Sequence, residues 1–62
     1  MIVNFYKRNS NIINDYKLLI SKNIDPIPQK GTFIKYSGQI YMINGVYLNI
    51  DKGEYDIYII KI

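Results

Sequence analysis

The sequence predicts an all-β protein, specifically a small SH3-like barrel of five to six strands that forms a homo-oligomer. Residues that suit a pleated sheet, above all isoleucine, valine and tyrosine, dominate the chain of 62 residues. Its four glycines lie at positions 31, 38, 45 and 53, a spacing typical of turns between short strands. This length leaves room for one domain, residues 1–62.

The first strand is predicted over Ile2–Lys7, where Val3 and Phe5 share one face and Tyr6 lies on the other. Residues 9–15 are rich in asparagine and serine, which favours a turn.

Residues 11–22 allow two interpretations. A helix is favoured by the 3.6-residue spacing of its apolar residues, with Ser10 or Asn11 as the N-cap. A strand is favoured by the alternation of Tyr16, Leu18 and Ile20 with polar residues, and Leu19 fits that strand poorly.

The stretch DPIPQKG (25–31) is a break, because neither of its prolines can donate to a sheet ladder. Strands are then predicted over Thr32–Tyr36, Gln39–Ile43, Val46–Ile50 and Tyr55–Ile62. The pair Asn44-Gly45 is either a hairpin turn or a bulge within one long strand, and the bulge gives five strands in total.

The last strand is apolar on both faces, and a small barrel buries only one of them. Ile57 and Ile59 share one face, whereas Tyr58, Ile60 and Ile62 share the other. We expect a second copy of the chain to cover the second face, so the predicted oligomer interface is Tyr47, Tyr58, Ile60 and Ile62. The alternative is that the chain ends pack over the mouth of the barrel.

The composition argues against catalysis. The chain has no cysteine and no histidine, so the commonest general base, the thiol nucleophile and the usual zinc ligands are missing. Asp51, Glu54 and Asp56 cluster around one turn, which is more often a solvated loop than a cation site. We therefore expect a binding protein with no enzymatic activity, no cofactor and no metal.

Two binding surfaces are candidates. Aromatic and cationic side chains can stack on bases or on a nucleotide, and such a face would form if the first and third strands lie near each other. Its residues would be Tyr6, Lys7, Arg8, Lys35 and Tyr36. The alternative for Tyr6 and Tyr36 is a partly buried edge position. The second candidate is the apolar outer face of the last strand.

The chain has seven tyrosines, and two explanations of that number remain open. Tyrosine, isoleucine, asparagine and lysine share codons made mainly of A and T, so genome bias accounts for part of it. We expect Tyr16 and Tyr41 to serve the fold, and Tyr36, Tyr47 and Tyr58 to serve a contact surface.

The net charge is +3, which permits contact with phosphates without requiring it. No stretch is long and apolar enough for a membrane span, and the N-terminus lacks the order of a signal peptide. We expect a cytoplasmic protein with no membrane partner.

The order of motifs resembles a set of short phage-encoded small-barrel proteins from Firmicutes. The matching pieces are VNFY (3–6), IPQKG (27–31), GQIYMI (38–43) and IYI (57–59), and they extend over nearly the whole chain. The asparagine-rich stretch 9–15 departs from that pattern. The resemblance implies an anti-defence inhibitor of a phage or mobile element, which binds a host immune protein or sequesters a nucleotide second messenger. The alternatives are a small nucleic-acid-binding barrel and a structural phage component.

Overall fold

The computed structural model describes residues 1–9 and 15–62, which form five strands in one sheet. The all-β, small-barrel prediction is confirmed, and the strand count is five. The sheet has the order β2-β1-β5-β4-β3 and curls into a half-barrel. The strands are β1 (Ile2–Arg8), β2 (Tyr16–Asn23), β3 (Phe33–Tyr36), β4 (Gln39–Asn49) and β5 (Glu54–Lys61).

Three of the four strand pairings are antiparallel, and the exception is β1 with β5, which run parallel. It follows from these directions that β2 and β3, the two edges of the sheet, run antiparallel to each other. A closed five-stranded barrel would pair these edges. Instead, the connection through the two prolines spans residues 24–32, and the half-barrel stays open between β2 and β3.

The core lies on the concave face of the sheet. Its members are at most 5% exposed and come from three adjacent strands: Val3 and Phe5 from β1, Tyr41 and Ile43 from β4, and Ile57 and Ile59 from β5. The expected role of Tyr41 in the fold is confirmed, since it is 3% exposed.

A bulge in β2 explains why Leu19 fits a regular strand poorly. Phe5 pairs with Ile20 and Tyr6 pairs with Leu18, so Leu19 is an extra residue between two paired positions. Of the two interpretations for residues 11–22, the strand is observed from Tyr16 onward, and positions 10–14 lie outside the described residues. The expected regular alternation is wrong, because the bulge puts Leu18 and Ile20 on opposite faces.

A second bulge resolves the alternative at Asn44-Gly45. Ile43 pairs with Ile59 and Gly45 pairs with Tyr58, which leaves Asn44 unpaired inside one continuous strand of 11 residues. The hairpin interpretation is therefore wrong. The true β4–β5 turn follows Asn49, where Gly53 has a φ of 67° and donates its backbone N–H to the carbonyl of Asn49.

None of the described residues belongs to a helix that is long and apolar enough to cross a membrane.

Candidate functional site: a tyrosine cluster on the outer face

The face of the sheet opposite the core carries a cluster of four tyrosines centred on Tyr58. Because cross-strand partners share a face, the register places Leu18, Tyr6, Tyr58 and Gly45 in one row across four strands. Neighbouring rows add the rings of Tyr16 and Tyr47. We call Tyr6, Tyr16, Tyr47 and Tyr58 the tyrosine cluster.

Tyr58 contacts the other three rings of the cluster. Its centroid lies 5.2 Å from that of Tyr6, with the planes 20° apart. Tyr16 and Tyr47 meet it nearly at right angles, at 80° and 81°, with centroid distances of 4.9 and 5.5 Å. Stacked and edge-to-face pairs at these distances are the favourable aromatic geometries. The cluster therefore orients its own rings rather than leaving them loose.

The second bulge makes room for Tyr47. A Cβ at Gly45 would lie 2.9 Å from the Cε2 atom of the Tyr47 ring, which is closer than carbon atoms approach. The ring thus rests on the backbone of Gly45, and only glycine permits that approach. Tyr47 is nevertheless 61% exposed, so most of its surface is available to a ligand.

Three of the tyrosines line a cleft of about 480 Å³ together with the bulge. The lining residues are Tyr16, Tyr47, Tyr58, Asn44 and Gly45. The amide of Asn44 donates a long hydrogen bond of 3.4 Å to the hydroxyl of Tyr16. An amide group offers both donor and acceptor atoms, so Asn44 can address the edge of a planar polar ligand while the rings contact its faces.

One side of the cluster is acidic and hydrogen-bonded. Asn4 donates from its amide nitrogen to Glu54 at 2.8 Å and to Asp56 at 3.1 Å, and its oxygen accepts a bond from the Ser21 hydroxyl at 2.6 Å. Asn49 donates to the second oxygen of Asp56 at 3.4 Å. These carboxylates are occupied in holding β1, β4 and β5 together.

The surroundings of Tyr58 raise the pKa of its hydroxyl. Partial burial raises the pKa of the Tyr58 hydroxyl above its ordinary value of 10.0, and the negative charge of Asp56 raises it further. The other three tyrosines of the cluster contribute in the same direction. A tyrosine hydroxyl is neutral at physiological pH without any shift, and the raised pKa extends this neutral state to higher pH.

The other side of the cluster is cationic. Arg8 is the register partner of Tyr16 and therefore shares the outer face with it. Lys7 and Lys17 also pair with each other, but Lys7 is the register partner of the core residue Ile59 as well, so both lysines lie on the face opposite the cluster. The cluster thus lies between a carboxylate side and a cationic side.

The five residues predicted as one aromatic and cationic face are divided among three places. Strands β5 and β4 separate β1 from β3 in the sheet, so the first and third strands do not pair. Tyr6 belongs to the tyrosine cluster and Arg8 lies at its cationic side, whereas Lys7 lies on the core face beside Ile59. Lys35 and Tyr36 line a different cleft.

The four residues predicted as an oligomer interface are also divided. Tyr47 and Tyr58 lie in the tyrosine cluster, so part of the second face of β5 is covered by rings of the same chain. Ile60 instead belongs to an apolar row that crosses three strands. Ile60 on β5 pairs with Met42 on β4, and Met42 pairs in turn with Phe33 on β3. Ile62 extends the row and is 68% exposed.

Three residues of the cleft, Tyr16, Asn44 and Gly45, were not among the predicted site residues. Tyr16 was expected to serve the fold, and its position on the outer face follows from the bulge at Leu19, which sequence periodicity does not locate. Asn44-Gly45 was predicted to be a turn or a bulge, and bulges often lie beside functional sites.

Within residues 1–9 and 15–62, no group of three or more acidic side chains is placed to hold a metal ion. No protein-family model matches the chain, and neither a curated protein nor a solved structure matches it.

Proposed function

We propose that this chain is a non-enzymatic binding protein that holds the base of a nucleotide in the cleft between Tyr16, Tyr47 and Tyr58. The single observation that carries the proposal is the arrangement of these rings, two of them nearly perpendicular to the third. The cleft volume of about 480 Å³ falls within the range of about 300–1,000 Å³ common for small-ligand sites.

The chemistry of the cleft suits a nucleobase. Every base has an aromatic face, and stacking on a tyrosine is worth about 1–3 kcal/mol per base. The Asn44 amide supplies hydrogen-bonding groups for the edge of the base, and its long bond to Tyr16 is weak enough to be exchanged. Arg8, the register partner of Tyr16 on the same face, would contact the phosphate.

The biological context of the proposal rests on the resemblance to short phage proteins of Firmicutes. In that context, the chain sequesters a nucleotide second messenger in the cytoplasm of a host cell and so acts as an anti-defence inhibitor. The function is binding alone.

A second candidate function is the inhibition of a host defence protein through the apolar row. Phe33 is 63% exposed, and it continues across the sheet into Met42 and Ile60. Exposed apolar patches of this kind are typical of protein interfaces. The same row could instead meet a second copy of the chain, as the predicted homo-oligomer requires.

Isothermal titration calorimetry against a panel of mononucleotides and cyclic nucleotides tests the first proposal. We expect Tyr47→Ala to lower the affinity for the tightest-binding nucleotide by about tenfold or more, since one stacking contact is lost. Tyr36→Ala is the matched control, because Tyr36 lies outside the cleft. Absence of binding by every nucleotide, or equal binding by the Tyr47→Ala variant, would contradict the proposal.

The cationic side is tested by comparing a nucleotide with the nucleoside that lacks its phosphate. The variant Arg8→Gln is expected to weaken binding of the nucleotide and to leave binding of the nucleoside unchanged. Lys52→Gln, in the turn at the opposite end of β5, is the control. Oligonucleotides distinguish the nucleic-acid alternative, because a binder of several phosphates loses affinity steeply with salt and a mononucleotide site does not.

A further inference from the structure

The open side of the half-barrel contains a second cleft, which we call the seam cleft. It has a volume of about 420 Å³ and lies between the two edge strands. Its floor is formed by Phe5 and Ile59 of the core, Leu19 and Ile20 line it from β2, and Ile34 lines it from β3. The seam cleft is therefore the gap where a closed barrel would continue the sheet.

Two walls of the seam cleft are sheet edges, and Ile24, Pro26 and Pro28 of the connection line it as well. Within the described part of the chain, β2 pairs only with β1, and β3 pairs only with β4. Each edge strand consequently presents backbone N–H and C=O groups that have no ladder partner, and such edges are templates for another strand. The bulge at Leu19 and the short length of β3 limit the number of backbone hydrogen bonds that an unrelated strand could form with these edges.

The rim of the seam cleft is cationic. Lys22 and Lys35 line it from the two opposite edges. Lys22 lies on the floor side, since it pairs with the core residue Val3, and Lys35 lies on the outer side, since it pairs with Ile40. Among residues 1–9 and 15–62, neither lysine side chain has a hydrogen bond or an ion pair with another side chain. An occupant that carries carboxylates would complement both lysines, whereas a second copy of this chain would bring a further net charge of +3.

We propose that the seam cleft binds an extended, acidic segment of a partner protein, which adds a strand to the half-barrel. The three features of the cleft select this occupant together. The strand edges provide backbone hydrogen bonds, and the apolar floor takes the inward-facing apolar side chains. Lys35, on the outer side, pairs with the outward-facing acidic side chains. This site is separate from the tyrosine cluster.

The probe is an acetylated and amidated peptide of alternating glutamate and valine, about six residues long, which is an ordinary strand length. Fluorescence anisotropy of a labelled form should show saturable binding that Lys22→Gln/Lys35→Gln weakens by about tenfold. Lys52→Gln, outside the seam cleft, is the matched control and should bind as the unaltered protein does. A peptide with lysine in place of glutamate should not bind.

Two further comparisons determine whether the peptide binds as a strand. N-methylation of alternate backbone amides removes donors without changing side chains, and we expect it to abolish binding. Equal binding of the N-methylated peptide, no binding of the acidic peptide, or no effect of the double lysine substitution would each overturn the proposal. Nucleotide binding at the tyrosine cluster should be unchanged in the Lys22→Gln/Lys35→Gln variant, so the two proposals fail independently.

Discussion

The ring of Tyr47 lies across the backbone of Gly45 and meets the ring of Tyr58 at 81°, with the two centroids 5.5 Å apart. One wall of the tyrosine cleft thus depends on the absence of a side chain at the bulge of β4. The bulge and Gly45 together leave the space that the ring of Tyr47 occupies when it contacts Tyr58.

Gly45→Ala is expected to displace the Tyr47 ring and weaken nucleotide binding. The added methyl group would lie 2.9 Å from a ring carbon, and the exposed ring can rotate away at little cost in stability. The near-ultraviolet circular dichroism of the tyrosines should change, while the free energy of unfolding should fall by less than about 1 kcal/mol. In a Tyr47→Ala background, Gly45→Ala should change neither binding nor the spectrum further, and an additional change there would refute this account.

Ile59→Val is expected to lower the free energy of unfolding by about 0.5–1.5 kcal/mol, because it removes one methyl group from a fully buried site. This truncation is small enough to leave a chain of this size folded. The control is Ile50→Val, at a residue that is 83% exposed, and it should change stability by less than about 0.5 kcal/mol. Equal effects in urea denaturation would contradict the assignment of the core face.

Asn4→Ala is expected to destabilise the sheet by about 1–3 kcal/mol, since it removes the amide that donates to both Glu54 and Asp56. Two part-buried carboxylates then lose a shared donor. Ser21→Ala removes only one exposed bond to the same asparagine and should have a smaller effect. Chemical denaturation of both variants gives the comparison, and an equal or reversed order would argue against the bridging role of Asn4.

Tyr58 should make the protein less stable at alkaline pH. Because the pKa of Tyr58 is raised in the folded state, the unfolded chain loses this proton first, and folding stability falls as the pH rises above 10.0. Tyr58→Phe keeps the ring and removes the hydroxyl, so its stability should decline less between neutral pH and about pH 11. Identical pH profiles of the two proteins in urea denaturation would contradict the predicted shift.

The strand periodicity of the sequence was sufficient for the all-β class and for most strand bounds. Val3, Phe5, Ile57 and Ile59 alternate regularly, and each lies in the core as that alternation predicts. Turn-forming residues correctly predicted that the strands are interrupted around the two prolines and before Glu54. These features are local, so a single sequence contains them.

The tyrosine cluster could be predicted only in part, because it depends on two bulges and on the strand order. A bulge shifts the register by one residue, which moved Tyr16 to the outer face beside Tyr58. The pairing of β1 with β5 brings Tyr6 against Tyr58, although they are 52 positions apart. Sequence alternation shows which residues share a face of one strand, but not which strands become neighbours.

The most direct test of the proposed nucleotide site is an intermolecular nuclear Overhauser experiment on the protein saturated with its tightest nucleotide. The account predicts contacts between protons of the base and the ring protons of Tyr16, Tyr47 and Tyr58. Contacts with Phe33 or Ile60 instead, or no contact between the base and any of the three tyrosines at saturation, would contradict it.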